Sequence, residues 1–164
     1  MKNLFIFTVQ YNENMEKLNL PTYNFNIKLE GQRKLIFDSI RKKFVVLTPE
    51  EWVRQNFISY LVEDKNYPKG LIAVEKKVDV NRMPQRSDIV LYNNKAIPLM
   101  IVECKAASVK ISQDTFNQIA RYNMKLQVPY LVVTNGLNHY CCQIDYENNS
   151  FKFIPEIPDY KSLI

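Results

Sequence analysis

Two short runs of unbroken apolar side chains, Leu99-Met100-Ile101-Val102 and Tyr130-Leu131-Val132-Val133, constrain this chain more than any other feature. A run without polar alternation suits a strand buried on both faces, so each is expected in the interior of a sheet. Between them Ser112 offers a helix cap, and the segment to about residue 127 reads as a helix. A strand, a crossover helix and a second strand make a parallel pair, which places the chain in the α/β class.

The remaining segments extend that sheet. Residues 71–80 and 86–92 read as strands around a turn at 81–85, and they meander antiparallel into a strand over 98–105. Residues 140–146 are expected to pair back on the sheet after a turn at 135–138. Upstream, residues 23–29 alternate apolar and polar, turn at Glu30-Gly31-Gln32-Arg33 and return through Lys34-Leu35-Ile36-Phe37 as an N-terminal β-hairpin. Thr48 followed by Pro49 is a helix-start signal. Val53, Phe57, Tyr60 and Leu61 then recur at helical spacing, and the helix is expected to end near Asn66.

At 164 residues the chain has the size of one ordinary domain. The expected division is an N-terminal extension over 1–19, a candidate disordered segment, and a single domain over 20–164. A formal charge of +5 favours polyanionic partners, although a basic soluble protein has the same balance. Cys104, Cys141 and Cys142 form no CxxC and cannot all pair, which suits a reducing, cytoplasmic compartment. No apolar stretch has the length of a signal-peptide core or a membrane span. His139 is expected at the surface, and with Cys141 and Cys142 it lacks zinc-ligand spacing.

The acid-x-Lys pattern occurs four times, at Glu63-Lys65, Glu75-Lys77, Glu103-Lys105 and Asp159-Lys161, so context must separate the copies. Glu63-Lys65 lies at a polar helix end, Asp159-Lys161 in a Pro-flanked tail, and Glu75-Lys77 on a strand whose alternation leaves both side chains in water. Glu103-Lys105 alone ends an interior strand. Residues i and i+2 of a strand share a face about 6.6 Å apart, so Glu103 and Lys105 project together. The preceding strand carries Asp88 in an otherwise apolar stretch, and a hairpin across residues 93–97 brings it beside Glu103. Two carboxylates this close repel unless positive charge lies between them, which a hard divalent cation supplies best. A structural ion pair with Lys105 is the competing reading.

Asp88 and, beyond an apolar strand, Glu103-Cys104-Lys105 resemble the signature of the PD-(D/E)XK nuclease superfamily, and the order of elements resembles its core. From Leu20 to about Tyr146 the chain resembles, more narrowly, the N-terminal nuclease domain of type I restriction enzyme R subunits, notably in Arg86-Ser87-Asp88-Ile89-Val90, Ile101-Val102-Glu103-Cys104-Lys105-Ala106 and Gln118-Ile119-Ala120-Arg121-Tyr122. The resemblance implies a restriction-endonuclease-like fold, a mixed β-sheet flanked by helices with a helix-strand-strand-strand-helix-strand core. It implies hydrolysis of DNA phosphodiester bonds with Mg²⁺ or Mn²⁺ held by Asp88, Glu103 and the Cys104 backbone carbonyl, and with Lys105 at the attacking water. Gln118 would support the site or contact DNA, its alternative being a polar helix face shared with Arg121. Glu50 or Glu51 would add a metal ligand, the alternative being a complement to the helix dipole. Arg121, Lys42 and Lys43 are candidate phosphate contacts, the last two in a basic stretch from Arg33 to Lys43 that equally suits a solvated hairpin face.

R subunits continue into a helicase-like motor whereas this sequence stops at Ile164, so ATP-driven translocation is not expected of it. The implied partners are DNA and other restriction-modification subunits, with no membrane. Two alternatives use the same residues: a catalytically silent DNA- or protein-binding module, and a junction-resolvase-like nuclease.

Overall fold

A computed structural model describes residues 6–9, 15–80, 83–123 and 127–164. The N-terminal part is a four-stranded antiparallel sheet, β1 (Ile6–Val9), β2 (Phe25–Glu30), β3 (Arg33–Asp38) and β4 (Lys43–Val46), in that spatial order. Alternation turns Phe25 and Ile27 of β2 inward, and Ile27 pairs with the fully buried Ile36 of β3. The expected hairpin is therefore the centre of a larger sheet. Two parts of the expected extension belong to the fold, since β1 pairs with β2 and Leu18 enters the core.

Helix α1 (Pro49–Glu63) starts as the sequence expects: the Glu51 N–H donates to the Thr48 hydroxyl at 3.0 Å, with Pro49 in the first turn. It ends at Glu63, three residues before the expected Asn66. Residues 51–58 are buried without a break. That pattern belongs to a helix covered on more than one side, here by a sheet on each flank. Trp52 packs on Phe25 of β2 at 5.3 Å between ring centroids.

The second sheet has six strands in the order β10-β9-β8-β7-β6-β5: β5 (Ile72–Val80), β6 (Met83–Tyr92), β7 (Pro98–Cys104), β8 (Tyr130–Thr134), β9 (His139–Asp145) and β10 (Ser150–Ile154). β7 and β8 run parallel through α2 (Gln113–Asn123), and every other pair is antiparallel. The Asn93 side chain closes the β6–β7 hairpin by accepting from the Lys95 and Ile97 N–H groups at 2.9 Å. Ser112 caps α2 through the Thr115 N–H at 3.1 Å. β6 begins at Met83, inside the segment expected as a turn, and β4 and β10 are strands the sequence did not announce.

Strand alternation divides the interior. Ile89, Leu91, Met100, Val102, Cys104 and Cys141 face α1, whereas Val90, Ile101, Leu131, Val133 and Cys142 face Phe116 and Ala120 of α2. Leu18, Phe25, Ile27 and Ile36 share the first core, so the layers run four-stranded sheet, α1, six-stranded sheet, α2. Among the described residues no helix is long and apolar enough to cross a membrane.

Candidate functional site

The β6–β7 register pairs Ile89 with Val102, and one step along it sets Asp88 against Glu103. The Cys104 N–H donates to Asp88 Oδ2 at 2.7 Å, which ties the β6 acid to the end of β7. Beyond the strand the Lys105 N–H donates to the Thr134 carbonyl of β8 at 2.8 Å. Lys105 Nζ turns back to Glu103 Oε1 at 2.9 Å. The side chains of Asp88, Glu103 and Lys105 keep 14, 24 and 29% exposure, enough for a small ligand to reach each. Burial and the neighbouring Asp88 charge hold the Glu103 carboxyl above the usual range, against the opposing pull of Lys105. For Lys105, burial favours the neutral amine, but the hydrogen bond and charge of Glu103 outweigh it and keep the ammonium protonated. Burial pushes the Cys104 thiol well up, so it has no thiolate to offer.

Beside this trio lies an ion network that sequence reasoning missed. Arg54 of α1 donates through Nη2 to Asp88 Oδ1 at 2.7 Å and Glu50 Oε1 at 3.0 Å, and through Nη1 to Glu51 Oε2. Glu75 Oε1 lies 3.7 Å from Nη1. Arg41 binds Glu51 and Glu75 at 2.7 Å each and also Asp38, and Gln55 donates to both Asp38 and Glu51 at 2.8 Å. Burial alone would raise the Asp38 pKa, but bonds from the Arg41 backbone and guanidinium and from Gln55 bring it below the ordinary value. Arg54 is pushed above the usual arginine value: burial opposes its charge, and Asp88 and Glu51 overcome that. The one signal in the sequence was the spacing of Glu50 and Glu51, four and three residues before Arg54 on one helix.

Three expectations are corrected. Arg41 leaves the basic stretch for the interior, because its guanidinium is taken by three acids. Glu75, expected in water, is bound by that arginine. His139 is half-buried, with Nδ1 on the Thr134 hydroxyl at 2.7 Å, Nε2 on the Asn19 carbonyl at 3.0 Å, and its ring against Phe57. Burial lowers its pKa, partly offset by Asn19.

Glu50 reaches the site through Arg54, and its charge is felt by both Glu103 and Lys105. Lys42 and Lys43 are exposed at the β3–β4 turn, where Lys42 takes φ 53°. Gln118 and Arg121 stand on α2, and their side chains lie outside the described residues. Among the described residues no three His, Cys, Asp or Glu side chains converge as a ligand set.

Comparison with known proteins bears on this arrangement. Residues 49–158 match the family described as type I restriction enzyme R protein N terminus. The chain is 37% identical over 67 residues to the Escherichia coli type I restriction enzyme EcoAI endonuclease subunit, covering 41% of this chain and 8% of that one. A fragment of an HsdR subunit of a type I restriction enzyme from Vibrio vulnificus has a similar fold, with TM-score 0.50 and 18% identity. That match covers 71% of this chain and 24% of the other. The chain thus spans a small part of the relatives it matches, and the matched family segment opens with α1 and takes in β5 to β10. The chain belongs to the type I restriction enzyme R protein N-terminus family.

Proposed function

We propose that this chain is a metal-dependent DNA nuclease domain of the PD-(D/E)XK type, hydrolysing phosphodiester bonds within a restriction-modification system in the cytoplasm. The observation that carries the reading is the set of Asp88, in the middle of β6, with Glu103 and Lys105 at the end of the adjacent β7, Asp88 being fastened to the Cys104 N–H. Charges rarely stand there for stability, and here they are joined in an open, partly exposed group.

The donor set suits a hard divalent cation. Glu103 is held above the ordinary carboxyl pKa first by burial and then by Asp88, so a cation bound beside both carboxylates would relieve their repulsion. Asp88, Glu103 and the Cys104 carbonyl would hold Mg²⁺ or Mn²⁺, with Glu50 as a further acid at the rim. When bound, such an ion lowers the pKa of a coordinated water and offsets charge on the phosphate. Lys105 enters as an ammonium, so its part is to donate a hydrogen bond to the attacking water or to the phosphate oxygen as charge builds there. Gln118 would steady that water or the DNA from α2, and Arg121, Lys42 and Lys43 would meet backbone phosphates. DNA and other restriction-modification subunits are the proposed partners.

One observation favours a silent binding module instead: Asp88 Oδ1 already carries a guanidinium. Calorimetric titration of Mn²⁺ into wild type and Asp88→Ala, beside plasmid cleavage in Mg²⁺, separates the two. Saturable binding that weakens at least about tenfold in Asp88→Ala, as removal of one of two carboxylate ligands requires, supports the nuclease. Equal binding by both proteins, with intact plasmid, supports the silent module.

A further inference from the structure

Arg54 is 4% exposed, and its guanidinium bridges four carboxylates: Asp88, Glu50 and Glu51 by hydrogen bonds, and Glu75 at 3.7 Å. Its Nε is buried and has no hydrogen-bond partner among the described residues. A buried donor left without an acceptor is costly, so the side chain is held by the acids along its Nη edge rather than by a full set of matched bonds. Arg41 and Arg54 together meet five carboxylates, Asp38, Glu50, Glu51, Glu75 and Asp88.

The four partners are not equivalent. Glu51 is fixed independently, because Arg41 and Gln55 both bind its Oε1. Glu50 is the most open of the group, with 46% of its side chain exposed. Asp88 has its second oxygen on the Cys104 N–H, so it stays oriented toward Glu103 when Oδ1 is released. A guanidinium that lets go of Asp88 still has Glu50, Glu51 and Glu75 to neutralise it, and is never left as a buried unpaired charge.

We propose that Arg54 is a positioning residue that serves as a resident counter-cation: it holds Asp88 in place before metal binds and gives up Asp88 Oδ1 as a divalent cation arrives, so this arginine sets the metal affinity of the site. The inference rests on the metal-dependent reading above. It explains how Asp88 is kept beside Glu103 without an ion: the positive partner of Asp88 comes from the helix. The cost is competition, since every cation that binds Asp88 must displace or tolerate a guanidinium. Arg54 therefore weakens metal binding while it stabilises the metal-free fold.

The experiment uses the full chain and Mn²⁺ alone as the probe, followed by electron paramagnetic resonance of the free ion and by thermal unfolding in chelator and in excess Mn²⁺. Wild type, Arg54→Gln, Arg54→Lys and Asp88→Asn are compared. Arg54→Gln should bind Mn²⁺ about tenfold or more tightly than wild type, because a like charge beside the ligand is gone. It should also melt lower in chelator and show a larger Mn²⁺-induced rise in Tm. Arg54→Lys, which keeps one charge but spans fewer acids, should fall between; it carries the test if the glutamine variant does not fold in chelator. A purely structural role would lower Tm and leave Mn²⁺ affinity unmoved. If wild type binds Mn²⁺ in an Asp88-dependent way and the Arg54 variants bind equally or more weakly, the exchange is refuted and the metal reading stands. If no protein shows Asp88-dependent binding, the metal reading fails and the exchange fails with it.

Discussion

Replacing Lys105 by alanine separates a nuclease from an ion-paired scaffold, because the structure gives very different magnitudes for its two possible roles. As a structural partner, Lys105 contributes one bond to Glu103 at 2.9 Å, between side chains that keep 29 and 24% exposure. A partly exposed pair of this kind is worth less than about 1 kcal/mol, too little to unfold a domain with ordinary stability of roughly 5–15 kcal/mol. As a donor to the reacting water or phosphate, the ammonium should contribute on the order of 10²-fold or more in rate, which is about 2.7 kcal/mol of barrier. The expected outcome is therefore plasmid cleavage slowed at least a hundredfold, on the order typical of such groups, with an unchanged melting profile. Lys65→Ala, which removes a lysine 5.8 Å from the Tyr60 ring centre, should leave the rate as it is. A second effect needs its own control. Without Lys105, burial and Asp88 act on Glu103 unopposed, its proton affinity rises further, and protons compete better with metal. Rates are therefore to be measured across alkaline pH. Recovery of the wild-type rate at higher pH would reduce Lys105 to the counter-ion of Glu103, and undiminished cleavage at neutral pH would remove it from the mechanism.

Two further outcomes test the fold that carries the site. A methyl group at Gly136, where φ is 81°, would meet Leu18 Cδ2 at 2.7 Å and Val53 Cγ2 at 3.2 Å, so Gly136→Ala combines a left-handed backbone cost of roughly 1 kcal/mol with overpacking of about 1–3 kcal/mol. Gly31→Ala has only the backbone term, since nothing lies within 4 Å, and urea unfolding should separate the two variants clearly; equal losses would refute the close packing of Leu18. Asp38 is fully buried and its folded pKa is depressed, so its stabilisation is present above the unfolded value of about 4 and is lost as pH falls through the lower folded value. Asp38→Asn should lower neutral-pH stability by on the order of 3 kcal/mol and flatten the acid limb of the stability curve, whereas an acid limb parallel to wild type would show that Asp38 does not drive it.

The sheet centre was legible because its signals are local. Apolar runs report strands buried on both faces, Thr48 and Pro49 report a helix start, and the fourteen residues from Ile89 to Val102 fold back in one hairpin. Asp88, Glu103 and Lys105 inherited that clarity. Arg54 and Arg41 did not: α1 has little amphipathic contrast because both its sides are covered, so its charged residues resemble a solvated face when read alone. His139 was misplaced for a related reason, since one of its two partners, Asn19, is 120 residues away in the chain. β10 escaped notice because Ser150 to Phe153 are exposed on both faces of an edge strand, which erases the alternation that marks a half-buried one.

The burial of α1 between two sheets also limits how this protein can change over evolutionary time. Asp38, Arg41, Glu51, Arg54, Gln55, Glu75 and Asp88 form one bonded chain drawn from both sheets and the helix. In such a chain the effect of one replacement depends on the state of its neighbours, so single changes do not add. Loss of either arginine leaves several carboxylates facing one another out of water, while loss of one acid leaves a guanidinium N–H without its acceptor. Drift at these positions is therefore expected in compensated groups, with an apolar replacement on the helix accompanied by one on the strand it faces. Asp88 belongs to that block, so a relative that abandons the rest of the block keeps its sheet and holds its β6 acid by the Cys104 N–H alone.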